Sequence, residues 1–103
     1  MELTKDNFST TLKDNSVVMV DFWAAWCGPC RMIEPIITEL EKDFEEKAII
    51  GKVNVDEQNT LGSEFGIRGI PSVLFFKNGE LVERVQGVHP KSYYSDKINY
   101  YLN

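Results

Sequence analysis

The sequence predicts an α/β protein on a mixed β-sheet, and three features carry that reading. Apolar β-branched runs alternate with segments of helical period through the first half of the chain, which is the pattern of parallel strands joined by helices. Asn78-Gly79 lies between two later apolar runs; this pair is the strongest short-range signal for a two-residue hairpin, so the last strands should be antiparallel. The length of 103 residues suits one domain, so residues 1–103 are expected to form a single unit.

Thr4 to Leu12 reads as a short helix, with Phe8 and Leu12 one turn apart and Lys13-Asp14-Asn15 ending it. Val17 to Phe22 is an apolar run broken only by Asp21, of the kind buried on both faces of a sheet. From a helix start at Pro29, residues Ile33, Ile36, Ile37, Leu40 and Phe44 recur at helical spacing, with Glu39, Glu41, Lys42 and Glu45 on the wet side. Pro35 falls inside that pattern, and a kink is expected there because proline removes one helical hydrogen bond. Ile49 to Val55 is the next strand, and Glu57 to Phe65 a weaker helix stopped by Gly66. Ser72 to Phe76 and Leu81 to Gln86 are the hairpin strands. Pro90 to Leu102 closes the chain as a helix with Tyr94, Ile98, Tyr101 and Leu102 on its inner face.

The chemistry sits in Trp26-Cys27-Gly28-Pro29-Cys30, which holds the chain's only two cysteines. Two intervening residues let a turn bring the sulfurs together. Cys27 then lies at a helix N-terminus, where free N–H groups and the macrodipole favour an anion. An ordinary thiol is roughly 3% thiolate at pH 7. A helix-end stabilisation of about 1–2 kcal/mol raises that to roughly a quarter, which makes Cys27 nucleophilic at neutral pH. Two plainer readings are weaker. A structural zinc site needs four ligands, and two cysteines with the distant His89 do not supply them, so no metal is expected. A purely structural disulfide closing so small a loop would remove only about 2 kcal/mol of unfolded-chain entropy.

Composition narrows the function further. A net charge of −5 lacks the basic footprint of a nucleic-acid binder. The longest apolar runs are too short to span a membrane. Met1-Glu2-Leu3 opens without a basic or apolar leader, and a reducing cytoplasm is the natural place for an accessible dithiol. The acid within the apolar run, Asp21, would cost several kcal/mol if buried, ionised and unpaired. Its plain alternative is a carboxyl that hydrogen-bonds buried backbone.

Four blocks together resemble the thioredoxin family: Val20-Asp21-Phe22-Trp23-Ala24-Ala25-Trp26-Cys27-Gly28-Pro29-Cys30, Lys52-Val53-Asn54-Val55-Asp56, Gly66-Ile67-Arg68-Gly69-Ile70-Pro71-Ser72 and Phe76-Lys77-Asn78-Gly79. The resemblance covers nearly the whole chain in order. It implies a central mixed sheet of four to five strands with helices on both faces, and a short first strand, since only Met1 to Leu3 remain for it. It implies Cys27 as the attacking nucleophile, Cys30 as the more buried resolving thiol, and a cis peptide bond before Pro71, facing the dithiol. Trp26, Gly28, Pro29, Gly69, Ile70, Pro71 and Gly87 would form the surface on which substrates dock. Beside a dithiol, Asp21 could accept the proton of Cys30, through a water, as that sulfur attacks. Lys52, on the adjacent strand, would moderate the acidity of Asp21. Trp23 would pack beneath the site with Asp56 near its indole N–H, and Trp26 would be more exposed. The function implied is reduction of protein disulfides by a monomer that needs no bound cofactor, with a flavin-dependent reductase regenerating the dithiol. Gln86 departs from the family, standing where the groove rim is usually apolar.

Overall fold

The computed structural model describes all residues, Met1–Asn103. Its elements are α1 (Phe8–Asp14), β1 (Val17–Trp23), α2 (Gly28–Asp43), β2 (Ile49–Asn54), α3 (Asn59–Glu64), β3 (Ser72–Lys77), β4 (Glu80–Gln86) and α4 (Lys91–Leu102). The sheet order is β2-β1-β3-β4. β1 runs parallel to β2 and antiparallel to β3, and β3 pairs antiparallel with β4. The mixed sheet expected from the sequence is therefore present. The short first strand is reduced to one parallel bridge between Glu2 and Lys52.

Side chains alternate across a strand, and β1 uses that alternation to build two cores. Val17 and Met19 face α2 and α4, where they pack with Ile33, Ile37, Tyr94 and Ile98. Val18, Val20 and Phe22 face the other way, toward Phe8 of α1 and Leu61 of α3. By the same parity Asp21 points to the α2 face, and it is fully buried. On β2, Ile50 belongs to the α2-side core and Val53 to the opposite one, so Lys52 shares a face with Asp21. The two residues are direct register partners.

Most boundaries follow the sequence pattern, and the turns explain the differences. α1 begins at Phe8 rather than Thr4 because Asn7 Oδ1 accepts the Thr4 N–H at 2.8 Å and closes a turn first. α3 begins at Asn59 rather than Glu57, since the N–H groups of Glu57 and Gln58 both turn back to the Asn54 carbonyl. It ends as its glycine requires: Gly66 has φ +63°, and the Gly66 and Ile67 N–H groups return to Ser63 and Gly62. Asn78 and Gly79 both have positive φ, at 51° and 84°, as a type I′ hairpin demands. α2 runs through Pro35 to Asp43.

The Tyr94 side chain fastens α4 to the loop that precedes it. The buried Tyr94 hydroxyl accepts the His89 N–H at 3.0 Å and donates to the Gly87 carbonyl at 3.3 Å. Tyr94→Phe should therefore cost about 1–2 kcal/mol, because both loop groups lose their partner. Urea unfolding should show a lower midpoint at unchanged slope; an unmoved midpoint would mean that water replaces the phenol without loss.

Candidate active site

The end of β1 and the start of α2 build the centre. Cys27 is the N-cap of α2, with extended backbone (φ −87°, ψ 112°), and its Sγ accepts the Cys30 N–H at 3.2 Å. Gly28 and Pro29 occupy the first two helical positions, where proline's missing N–H has no helical partner to lose. The helix starts one residue earlier than the sequence suggests, and this places the sulfur itself in the cap. Cys27 and Cys30 are joined by a disulfide with their Cα atoms 5.3 Å apart. Both are buried in a small cluster with Ala24, against Trp23, Val55 and Ile70.

A second loop faces them. The Ile70–Pro71 bond is cis, and the Ile70 carbonyl oxygen lies 3.7 Å from Cys27 Sγ. The Gly87 N–H donates to the Pro71 carbonyl at 2.9 Å, which ties the end of β4 to this loop. Neither the N–H nor the C=O of Ile70 makes a backbone hydrogen bond within the chain. The Gln86 side-chain amide lies over Gly69, in space that a Cβ there would fill. Trp26 and Ile70, with Ile67 and Arg68, line an open depression of about 390 Å³ next to the disulfide. Gly28 and Pro29 are exposed on the rim, while Gly69 and Gly87 are half-buried. Ile70 thus stands beside Cys27, and Pro71 is joined to Gly87, while Trp26, Gly28 and Pro29 flank Cys27 along the chain.

One expectation needs correcting. Asp56 does not serve Trp23: its Oδ2 accepts the indole N–H of Trp26 at 2.9 Å, although Trp26 is 68% exposed. Trp23 ends β1 with its ring under Lys52, whose Nζ sits 4.6 Å from the ring centroid, and its buried Nε1 has no partner. Trp23 lines a depression with Arg31 and Glu34 of α2, whereas Trp26 lines one with Asn59 and Gly62 of α3.

Asp21 is the electrostatic feature of the site. Both carboxyl oxygens are buried and neither has a hydrogen-bond partner. Burial pushes the pKa of this carboxyl up to about 7, against a pull downward from the Lys52 ammonium and a further push from the Glu34 carboxylate. The plainer reading of Asp21 as a backbone-bonding acid does not hold. Sequence reasoning does not single out Glu34. Its spacing of four from Cys30 puts the two on one helical face, and that is the available signal. Its Oε1 is 2.6 Å from Lys52 Nζ. Glu34 and Arg31 line a depression of about 370 Å³ with Cys30, Trp23, Ala24 and Ala25. No group of three or more His, Cys, Asp or Glu side chains is placed to hold a metal ion.

The family model described as thioredoxin matches residues 1–100. The chain belongs to the thioredoxin family. It is 45% identical over 102 residues to a thioredoxin of Chlorobaculum thiosulfatiphilum, covering 98% of this chain and 94% of that protein. It is 49% identical over 92 residues to the chloroplastic M-type thioredoxin of Spinacia oleracea, covering 89% of this chain and 51% of the other. Among solved structures, a mutant thioredoxin from Halobacterium salinarum NRC-1 superposes with a TM-score of 0.92 at 36% identity, covering 100% of this chain and 90% of that one. Thioredoxins are protein thiol–disulfide oxidoreductases, and here the redox-active pair is Cys27–Cys30. No helix is long and apolar enough to cross a membrane.

The buried acid gives a pH-dependent test. Unfolded, Asp21 ionises near its ordinary value of 3.8; folded, it keeps its proton to about 7. The native state therefore binds the extra proton between those values, and the stability linked to Asp21 falls as pH rises through that window. Asp21→Asn cannot titrate, so its stability gain over the parent should grow with pH. In the oxidised protein the gain should be roughly 2–3 kcal/mol larger at pH 8 than at pH 5, read by denaturant unfolding. An equal gain at both values would contradict the raised folded-state pKa.

Proposed function

We propose that this chain is a general protein-disulfide reductase that works through two ordered exchanges. In the reduced protein the Cys27 thiolate attacks one sulfur of a target disulfide, forms a mixed disulfide and releases the first target thiolate. Cys30 then loses its proton to the Asp21 carboxylate, across a water, and attacks Cys27 Sγ. That step breaks the mixed disulfide, releases the second target thiolate and leaves Cys27–Cys30 oxidised. The target gains two electrons and the chain loses two. No bound cofactor enters, because both electrons pass between sulfurs.

The observation that carries this reading is the asymmetry of the two sulfurs. Cys27 caps α2 and lies 3.7 Å from the Ile70 carbonyl, whereas Cys30 sits buried inside the first turn of α2, the helix that packs on the face of β1 to which Asp21 points. Helix-end amides favour the charged form of Cys27. A carboxyl with a pKa of about 7 is matched to accepting and returning a proton at neutral pH. The Ile70 N–H and C=O, which make no backbone hydrogen bond, suit an extended target segment, which would gain main-chain affinity with little demand on its side chains. Trp26, Gly28, Pro29, Gly69, Pro71 and Gly87 complete that docking surface, and Trp23, Lys52 and Asp56 support it. The active form is a monomer, one domain over residues 1–103, acting in the cytoplasm, where a flavin-dependent reductase returns two electrons to the disulfide.

The ordered mechanism predicts a difference in trapping. Cys30→Ser should accumulate mixed disulfides with target proteins, because attack survives and resolution is lost. Cys27→Ser should accumulate almost none. Non-reducing gels of each variant incubated with a disulfide-containing protein such as insulin distinguish the two. Equal trapping would overturn the order, and no trapping by either would reduce the site to a docking surface with incidental thiols.

A further inference from the structure

The groups around Asp21 can be named element by element. Lys52 comes from β2, directly opposite in register, and Val73 from β3 carries no charge. α2 covers this face and supplies Glu34 together with the cysteine pair, while Arg31 is turned onto the Ala25 carbonyl at 3.1 Å. α4 supplies the Tyr94 phenol, whose hydroxyl is engaged with the loop at Gly87 and His89. Lys52 is thus the one ammonium with access to the buried carboxyl, yet it makes no hydrogen bond to it. Its Nζ is instead held at 2.6 Å by Glu34 and rests over the Trp23 ring. The Lys52 side chain is 21% exposed and that of Glu34 is 44% exposed, so the pair sits at the boundary of the core. Glu34 also lines the depression that opens onto Cys30.

We propose that Glu34 is a positioning residue for the reaction: it holds the Lys52 ammonium outward, away from Asp21, and thereby sets the pH at which that carboxyl gives up its proton. Glu34 acts in two ways of the same sign. It occupies the cation that would otherwise stabilise an Asp21 carboxylate, and its own negative charge opposes ionisation of a second carboxyl nearby. Without that hold, Lys52 is free to turn inward onto the unpaired Asp21 oxygens. The ion pair is partly exposed on its Glu34 side, so water weakens its hold and the Asp21 oxygens can compete for the ammonium. This inference rests on Asp21 being the proton acceptor only for its catalytic consequence, and the two are separable by experiment.

Carbon-13 NMR titration of the Asp21 side-chain carboxyl in the oxidised protein reads the effect directly, with no turnover. Glu34→Gln keeps the side-chain shape and removes the charge; the Asp21 midpoint should fall by about half a pH unit or more. Glu34→Asp should restore most of the shift. In a Lys52→Gln background the Glu34→Gln shift should be clearly smaller, because the cation that Glu34 restrains is gone. An unmoved midpoint in Glu34→Gln, or the same shift with and without Lys52, overturns the proposal. The pH profile of insulin reduction should move down with the titration. If the titration moves and the profile does not, Glu34 still governs Asp21, and it is the acceptor role of Asp21 that falls.

Discussion

The site depends on a single constraint: the first turn of α2 must begin at the sulfur of Cys27. The end of β1 delivers the chain to that point, and the Cys30 N–H closes onto Cys27 Sγ at 3.2 Å. A helix start leaves N–H groups without partners, and here a side-chain sulfur takes one of them. On the proposed mechanism, the arrangement that satisfies the helix is also the one that favours a thiolate at Cys27 once the disulfide opens. The loop at Ile70–Pro71, tied to β4 through Gly87, places the Ile70 carbonyl beside that sulfur.

Beneath this arrangement the sheet works against its own stability. Strand parity carries Asp21 into the α2-side core, among Met19, Val73 and Tyr94, with no hydrogen-bond partner for either oxygen. An apolar residue in its place would avoid that cost, and the two cores on either side of β1 offset it. A residue that costs stability and has no packing role points to function. Glu34 extends the same logic to the surface, because an acid beside an acid raises the cost of ionisation.

Most of the fold is legible in the sequence because its signals are local. Asn78-Gly79 and Gly66 demand positive φ, and few alternatives meet that demand. The apolar periods of β1 and α2 report burial directly. Boundaries slip at Thr4–Asn7 and at Glu57–Gln58, where turns carry helix-like hydrogen bonds before the regular helix starts. In the site, the cysteine pair and Asp21 stand out by residue type. The pairing of Asp56 with Trp26 rather than Trp23, and the hold of Glu34 on Lys52, do not stand out. Both join segments separated by 18 to 30 residues. They follow from which side of β1 each chain segment packs on, and no local pattern encodes that.

On the proposed mechanism the helix N-terminus makes Cys27, and not Cys30, the reactive thiolate. Alkylation of the fully reduced protein with iodoacetamide across pH 5 to 9, followed by peptide mapping, measures this at each sulfur separately. Cys27 should be modified several-fold faster at neutral pH, and its rate should rise with pH earlier than that of an ordinary thiol. Equal rates at the two sulfurs, or earlier modification of Cys30, would contradict it.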